Sequence, residues 1–263
     1  MGILGMPALI ELNTVEEHVA LCARLGLNFV ELNTNFPNQQ LHLLDPKHLR
    51  TLAEKHGIGY TIHLNDEMPV ADFNPTVAKG YCDAVLEAIS FADAIGASVI
   101  NMHISEGAHY TRPDGIVYFY EAYREAYLDR MAAFRDLCEK AIGSRKIHIC
   151  VENSKAFFDF QKAALALLLE SPAFALTLDV GHNHCSNYAD EQWFLAHKDR
   201  LRHIHLHDAL GKQDHLPLGE GQIDLARYIR LAGEQDLSIL LEVKTAEGLC
   251  KSVPAIREAI YEL

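Results

Sequence analysis

The chain has 263 residues, 22% of them charged and 49% hydrophobic, an ordinary balance for a soluble globular protein. Its formal net charge of −13 means that a nucleic-acid binder would have to show a local basic footprint. No apolar run is long enough to span a bilayer. The start, Met1-Gly2-Ile3-Leu4, lacks the basic n-region of a signal peptide. Cys22, Cys82, Cys138, Cys150, Cys185 and Cys250 include no C-x-x-C pair. Most fall in apolar helical patterns, which suits reduced thiols in a cytoplasm.

A short apolar run, a polar loop and an amphipathic stretch recur from end to end. Strands are predicted at 2–5, 27–32, 58–64, 98–103, 146–152, 173–179, 201–207 and 237–243. Helices are predicted at 15–25, 46–55, 75–95, 118–142, 160–168, 191–197, 225–232 and 253–260. Thr14 and Glu17 give a capping-box signature before the first helix. Gly26, Gly57, Gly96, Gly143 and Gly233 fall where helices should stop. Eight strand-then-helix units imply a parallel sheet with helical crossovers, and eight is the number that closes a barrel. An open doubly wound sheet is the alternative, but no glycine-rich phosphate loop follows the first strand. The expected fold is α/β, a single (β/α)8 TIM barrel over residues 1–263 with no internal linker.

Such barrels carry their active sites at the C-terminal ends of the strands. Those positions hold Glu31 and Asn33, His63 and Asn65, Asn101, His103 and Glu106, Glu152 and Asn153, Asp179 and His182, His205 and His207, and Glu242 and Lys244. In Arg202-His203-Ile204-His205-Leu206-His207-Asp208, imidazoles alternate with apolar side chains, so His203, His205 and His207 share one face. Glu152, Asp179, His205 and Glu242 end strands five to eight and would lie side by side. Three carboxylates crowded with one imidazole repel unless a cation joins them. An O3N set suits Mn2+, Mg2+, Zn2+ or Co2+; structural ion pairs are the competing explanation. His63, His103 and His215 are read as substrate contacts or a second metal site. His203 and His207 are placed lower in importance, near or beyond the rim. His18, His42, His48, His56 and His197 are expected at the surface.

Val151-Glu152-Asn153, Leu178-Asp179-Val180-Gly181-His182, His205-Leu206-His207-Asp208 and Leu241-Glu242-Val243 resemble the xylose-isomerase-like TIM-barrel superfamily. That group includes sugar isomerases and epimerases, related dehydratases and the endonuclease IV family. The resemblance to ketose epimerases implies one divalent ion held by Glu152, Asp179, His205 and Glu242. It implies that Glu152 and Glu242 exchange a proton with the substrate carbon while the ion polarises the substrate oxygens. His182 would hydrogen-bond the substrate. After Glu152 the run Ser154-Lys155-Ala156-Phe157-Phe158 lacks the further carboxylate those epimerases use. The expectation is therefore isomerisation or another proton transfer, with C3 epimerisation not specified. The resemblance to endonuclease IV implies instead up to three zinc ions. His63, His103, His182, His205 and His215, with Glu152, Asp179 and Glu242, would hold them for hydrolysis of abasic DNA. Gln213 stands where that family has an aspartate, and the adjacent Asp214 is expected to point elsewhere.

The loops favour the first reading. Residues 33–44, 65–74 and 181–189 carry no Lys or Arg. Arg112, Lys155, Lys212 and Lys244 remain, each on a different loop. Such a rim suits a small polyol better than a phosphate backbone, and argues against a nucleic-acid partner. Lys212, preceded by Gly211, is the first choice for an anionic group on a substrate. Tyr110, Phe119 and Tyr120 would wall a sugar ring, pack helices or form an oligomer contact, so a homo-oligomer stays open. The reading is a metal-dependent sugar or sugar-phosphate isomerase or epimerase, with His63, His103, His182, Lys212 and His215 on substrate. A zinc phosphodiesterase is the alternative.

Overall fold

A computed structural model describes residues 3–261. The barrel strands are β1 (Leu4–Pro7), β2 (Phe29–Asn33), β3 (Gly59–His63), β4 (Val99–His103), β5 (His148–Glu152), β6 (Phe174–Asp179), β7 (Leu201–Leu206) and β8 (Ser238–Leu241). Each pairs in parallel with the next, and β8 returns to β1, closing the (β/α)8 barrel. The first strand lies two residues later than predicted, and residue 2 falls outside the described residues. No helix among the described residues is long and apolar enough to cross a membrane.

Local chemistry sets the helix ends. Thr14 and Glu17 form the expected capping box on the helix Val15–Leu25, and Gly26 closes it at φ 65°. Gly57, Gly96 and Gly143 close their helices as expected. Gly233 does not. Its helix runs on to Gln235, and Asp236 takes the left-handed position at φ 53°; aspartate visits that region more readily than most residues. The predicted helix 118–142 is also broken. Tyr118 belongs to a hairpin of His109–Arg112 with Gly115–Tyr118, and the helices Phe119–Ala122 and Arg124–Ile142 follow. Tyr120 is buried and stacks on Tyr127 at 4.3 Å, so it serves helix packing. The last helix starts at Ala246, with Pro254 inside it rather than near its start.

The outer faces of the strands and the inner faces of the helices form the main core. Leu32, Ile62, Ile100, Ile149, Val151, Leu176, Leu178, Ile204 and Leu206 are buried there. The alternate residues point inward, and they are polar: Glu31, Thr61, Asn101, Glu152, Thr177, Asp179, His203 and His205, all buried. Val99, Cys150 and Ala175 form a small apolar cluster of their own. Gly5 leaves the space that the Phe29 ring fills. A barrel interior is ordinarily packed with branched apolar side chains. Here most of it is given over to groups that are costly to bury unless paired. His18 corrects the expectation of a surface residue. It is fully buried, accepting from the Leu9 N–H at 2.9 Å and donating to the Thr14 carbonyl at 2.7 Å.

Candidate metal centre

Strand register brings the four predicted residues together. Glu152 ends β5, Asp179 ends β6, His205 lies on β7, and Glu242 follows β8 by one residue. His103 pairs with Glu152, and Asp179 pairs with His205. His205 Nδ1 is 3.3 Å from Glu152 Oε2, 3.3 Å from Glu242 Oε2 and 3.9 Å from Asp179 Oδ2. One ligand atom from each of Glu152, Asp179, His205 and Glu242 lies within 4.8 Å of all the others, and all four residues are buried.

Neighbours fix the remaining atoms. Asn153 exchanges two 2.9 Å hydrogen bonds with the Asp179 backbone. Asp179 Oδ1 accepts from the His182 N–H at 2.6 Å and so caps the short helix Val180–Cys185. His207 Nδ1 accepts from the His215 N–H at 2.8 Å, which leaves its Nε2–H to donate to Asp179 Oδ1 at 3.1 Å. Lys244 Nζ holds Glu242 Oε1 at 2.6 Å. Below the cluster, Glu31 accepts from Thr61 Oγ1 at 3.0 Å and lies 3.6 Å from His205 Nε2. Asn101 donates to Glu152 Oε2. Glu152 Oε1, Glu242 Oε2, His205 Nδ1 and His182 Nδ1 are nonetheless buried without a hydrogen-bond partner among the described residues. Buried polar atoms are normally satisfied. A divalent cation fits the orphaned atoms of Glu152, Glu242 and His205, and with Asp179 they make a set of three carboxylates and one imidazole that suits it.

The electrostatics agree. Burial alone would raise both glutamates, but His205 and His103 hold Glu152 well below the usual carboxylate range. Lys244 and His205 do the same for Glu242. Burial likewise works against the charged imidazoles, and the carboxylates overcome it. His205 lies well above its ordinary value through Glu152 and Glu242. His182 is pushed up to about 10 by Asp179 and Glu152, and His63 to about 9 by Glu152 and Glu31. His203, buried and next to His205, falls to about 4. Protonated histidines are thus the counterions of the metal-free cluster, and a metal would displace those protons.

A cavity of about 250 Å³ opens above the cluster, lined by Asn33, His63, Asp66, His103, Glu152, His182, His215, Glu242 and Lys244. His63 and His103 face Glu152 Oε2 at 3.4 Å each. Three further groups have metal-compatible spacing: His63–His103–Glu152, His182–His207–His215 and Glu31–His203–His205. His203 is buried inside the barrel on β7, not at its rim, whereas His207 lies just past the end of that strand and is buried against the loops there. Cys185 is in none of the groups.

The loop after β7 is a hairpin of Asp208–Leu210 with Gln213–Leu216. Asp208 organises it, accepting from the N–H groups of Ala209 (2.9 Å), Gly219 (3.0 Å), Gly221 (2.9 Å) and Ile223 (3.1 Å). Gly221 leaves no room for a Cβ against that carboxylate. His215 sits at φ 53° and donates from Nδ1 to the Glu242 carbonyl at 3.1 Å. The hairpin turns Asp214 toward His182, with 3.8 Å between Oδ2 and Nε2, contrary to expectation. Lys212 is exposed at the tip and does not line the cavity; Lys244 does. Glu31, Asn101 and Lys244 join the candidate site without having been singled out for these roles.

A profile of the xylose isomerase-like TIM barrel family matches residues 19–261. The chain belongs to that family. Two uncharacterized proteins of Methanocaldococcus jannaschii resemble it. One is 24% identical over 208 residues, covering 77% of this chain and 75% of the relative. The other is 28% identical over 202 residues, covering 74% and 70%. Among solved structures, a D-tagatose 3-epimerase-like protein superposes with TM-score 0.80 at 19% identity, over 99% of this chain and 97% of that one. The D-allulose 3-epimerase of Methylomonas sp. in complex with D-allulose gives 0.71 at 17%, over 98% and 97%. The IolI protein with a bound zinc atom gives 0.72 at 14%, over 99% and 95%. This family member shares its barrel with all three.

Proposed function

We propose that the protein is a divalent-metal-dependent isomerase or epimerase that moves a proton on a small hydroxy-carbonyl compound of the sugar class. The observation that carries this reading is the buried Glu152–Asp179–His205–Glu242 cluster, with unpartnered atoms on Glu152, His205 and Glu242. The fold likeness to proteins named as sugar 3-epimerases supports it. Mn2+, Mg2+, Zn2+ or Co2+ held by these four residues would polarise the substrate carbonyl and hydroxyl oxygens. Glu152 and Glu242 are the proton carriers. Both are held ionised, as a base must be before it takes a proton. Lys244 fixes the second oxygen of Glu242 and so sets the direction of the first. His63, His103, His182 and His215 surround the cavity and offer ring nitrogens to substrate hydroxyls. The six cysteines are free, which suits a reducing, cytoplasmic setting.

One observation favours a hydrolytic second reading: the histidine groups flanking the quartet have the spacing of further metal sites. Metal analysis with two activity assays separates the readings. About one equivalent of metal, with deuterium uptake from D2O at the carbon beside a ketose carbonyl, is expected. Glu242→Gln should abolish that uptake. Close to three zinc ions, cleavage of abasic duplex and no uptake would overturn the isomerase reading.

A further inference from the structure

Beside the metal cavity lies a second chamber of about 300 Å³, sharing His103 and Asp66 with it as a common wall. The chamber is thus the space adjoining a substrate whose reacting carbon sits at Glu152 and Glu242. The chamber is built by the loops after β3, β4 and β5, and the last two are tied together. Gln161, 3% exposed, donates to the Ile104 carbonyl at 2.9 Å and accepts from the Phe158 N–H at 2.9 Å. Gly107, at φ 69°, gives up its Cβ space to the Tyr120 ring, and its N–H donates to Ser105 Oγ at 3.1 Å. Two of the walls are therefore braced by the chain itself, which lowers the ordering cost of binding.

Their chemistry selects an occupant. Asp66, Glu67 and Glu106 face the chamber with one ammonium, that of Lys155, which is already 3.4 Å from Glu106 Oε1. The other cations near the mouth are also engaged or turned away. Arg112 pairs with Asp114, Lys244 with Glu242, and Lys212 is exposed at its hairpin tip. A phosphate would meet carboxylates without a free counterion, and like charges so placed repel. Hydroxyl groups can donate to the same carboxylates and exchange hydrogen bonds with Ser105 and Ser154.

We propose that this chamber is a subsite for a second, uncharged sugar unit, so that the substrate is a glycosylated keto-sugar and not a sugar phosphate. The proposal rests on the proton-transfer reading above. Three ketoses differing only at O6 test it on the metal-loaded protein: D-fructose, D-fructose 6-phosphate and isomaltulose. Deuterium uptake beside the carbonyl is followed by NMR. Expected is a kcat/KM for isomaltulose at least tenfold above that for the phosphate, and above that for fructose. Ala156→Trp and Ser105→Tyr each fill the chamber from a different wall. Each should lower the isomaltulose-to-fructose ratio at least tenfold. Preference for the phosphate, or an unchanged ratio in both folded variants, would overturn the subsite while leaving uptake on fructose intact. No uptake on any of the three would overturn the proton-transfer reading, and the subsite with it.

Discussion

Glu31→Gln isolates what a buried carboxylate does for the metal site without touching a ligand. Glu31 is 2% exposed, and its Oε1 lies 3.6 Å from His205 Nε2, the nitrogen facing away from the other three ligands. Two full charges at that separation would interact by about 5 kcal/mol at an effective dielectric of about 20. A neutral, metal-bound imidazole feels only a fraction of this. Loss of such an outer partner of a ligand histidine costs about 10–100-fold in metal affinity, or about 1.4–2.7 kcal/mol. Glutamine matches the shape, so no cavity forms, and its oxygen can keep the 3.0 Å hydrogen bond from Thr61. Titration calorimetry with Mn2+ and Zn2+ on chelator-stripped protein should show that weakening, with an unchanged circular dichroism spectrum. A dissociation constant within twofold of the parent would refute the idea that Glu31 orients and polarises His205.

Gly181→Ala puts a methyl where the His207 ring lies. Overpacking of this kind costs about 1–3 kcal/mol, and the displaced ring should release Asp179; a lower melting temperature and at least tenfold weaker metal binding are expected, and parental values for both would rule the clash out. Asp208→Asn removes the charge from a carboxylate accepting four backbone N–H groups, where bonds to a charged acceptor contribute about 1.5–3 kcal/mol. Hydrogen exchange should rise across residues 209–223 and not in the distant strands β2 and β3; uniform protection would sink this account. In the metal-free protein, His63 and His182 titrate at about 9 and about 10, against about 6.5 in an unfolded chain. Their stabilisation is full below pH 6.5 and is lost as pH rises from there to 10. His203, at about 4, acts oppositely, and its contribution is lost as pH falls from 6.5 to 4. The metal-free melting temperature should therefore peak near pH 6.5, and added divalent metal should rescue the alkaline side. A metal-free protein that gains stability from pH 7 to 9 would contradict this.

The eight strands were legible because their outward residues form unbroken apolar positions, and the ligands because they occur where each run ends. Depth was not legible. Glu31 and Asn101 read like any polar strand exit, and only the register of β2 against β3 and of β4 against β5 brings them under the cluster. Nor does linear spacing report which way a loop turns. Lys212 is the preferred anchor on paper, yet a hairpin carries it outward while Glu242 draws Lys244 in. The left-handed backbone at His215 accompanies the inward turn of Asp214, and a non-glycine residue at positive φ leaves no mark in a sequence. His18 was misplaced because its two partners are backbone groups, which no pattern of side chains reveals.

The anchoring of the β7 hairpin by Asp208 has an evolutionary consequence. Its contacts are to the main-chain amides of residues 209, 219, 221 and 223, none of them at the hairpin's tip. The tip between Leu210 and Gln213 is therefore released from structural duty, and a longer or differently charged crown can be grafted there. Descendants of this chain could change what they recognise at that crown while inheriting the histidine wall beneath it unaltered.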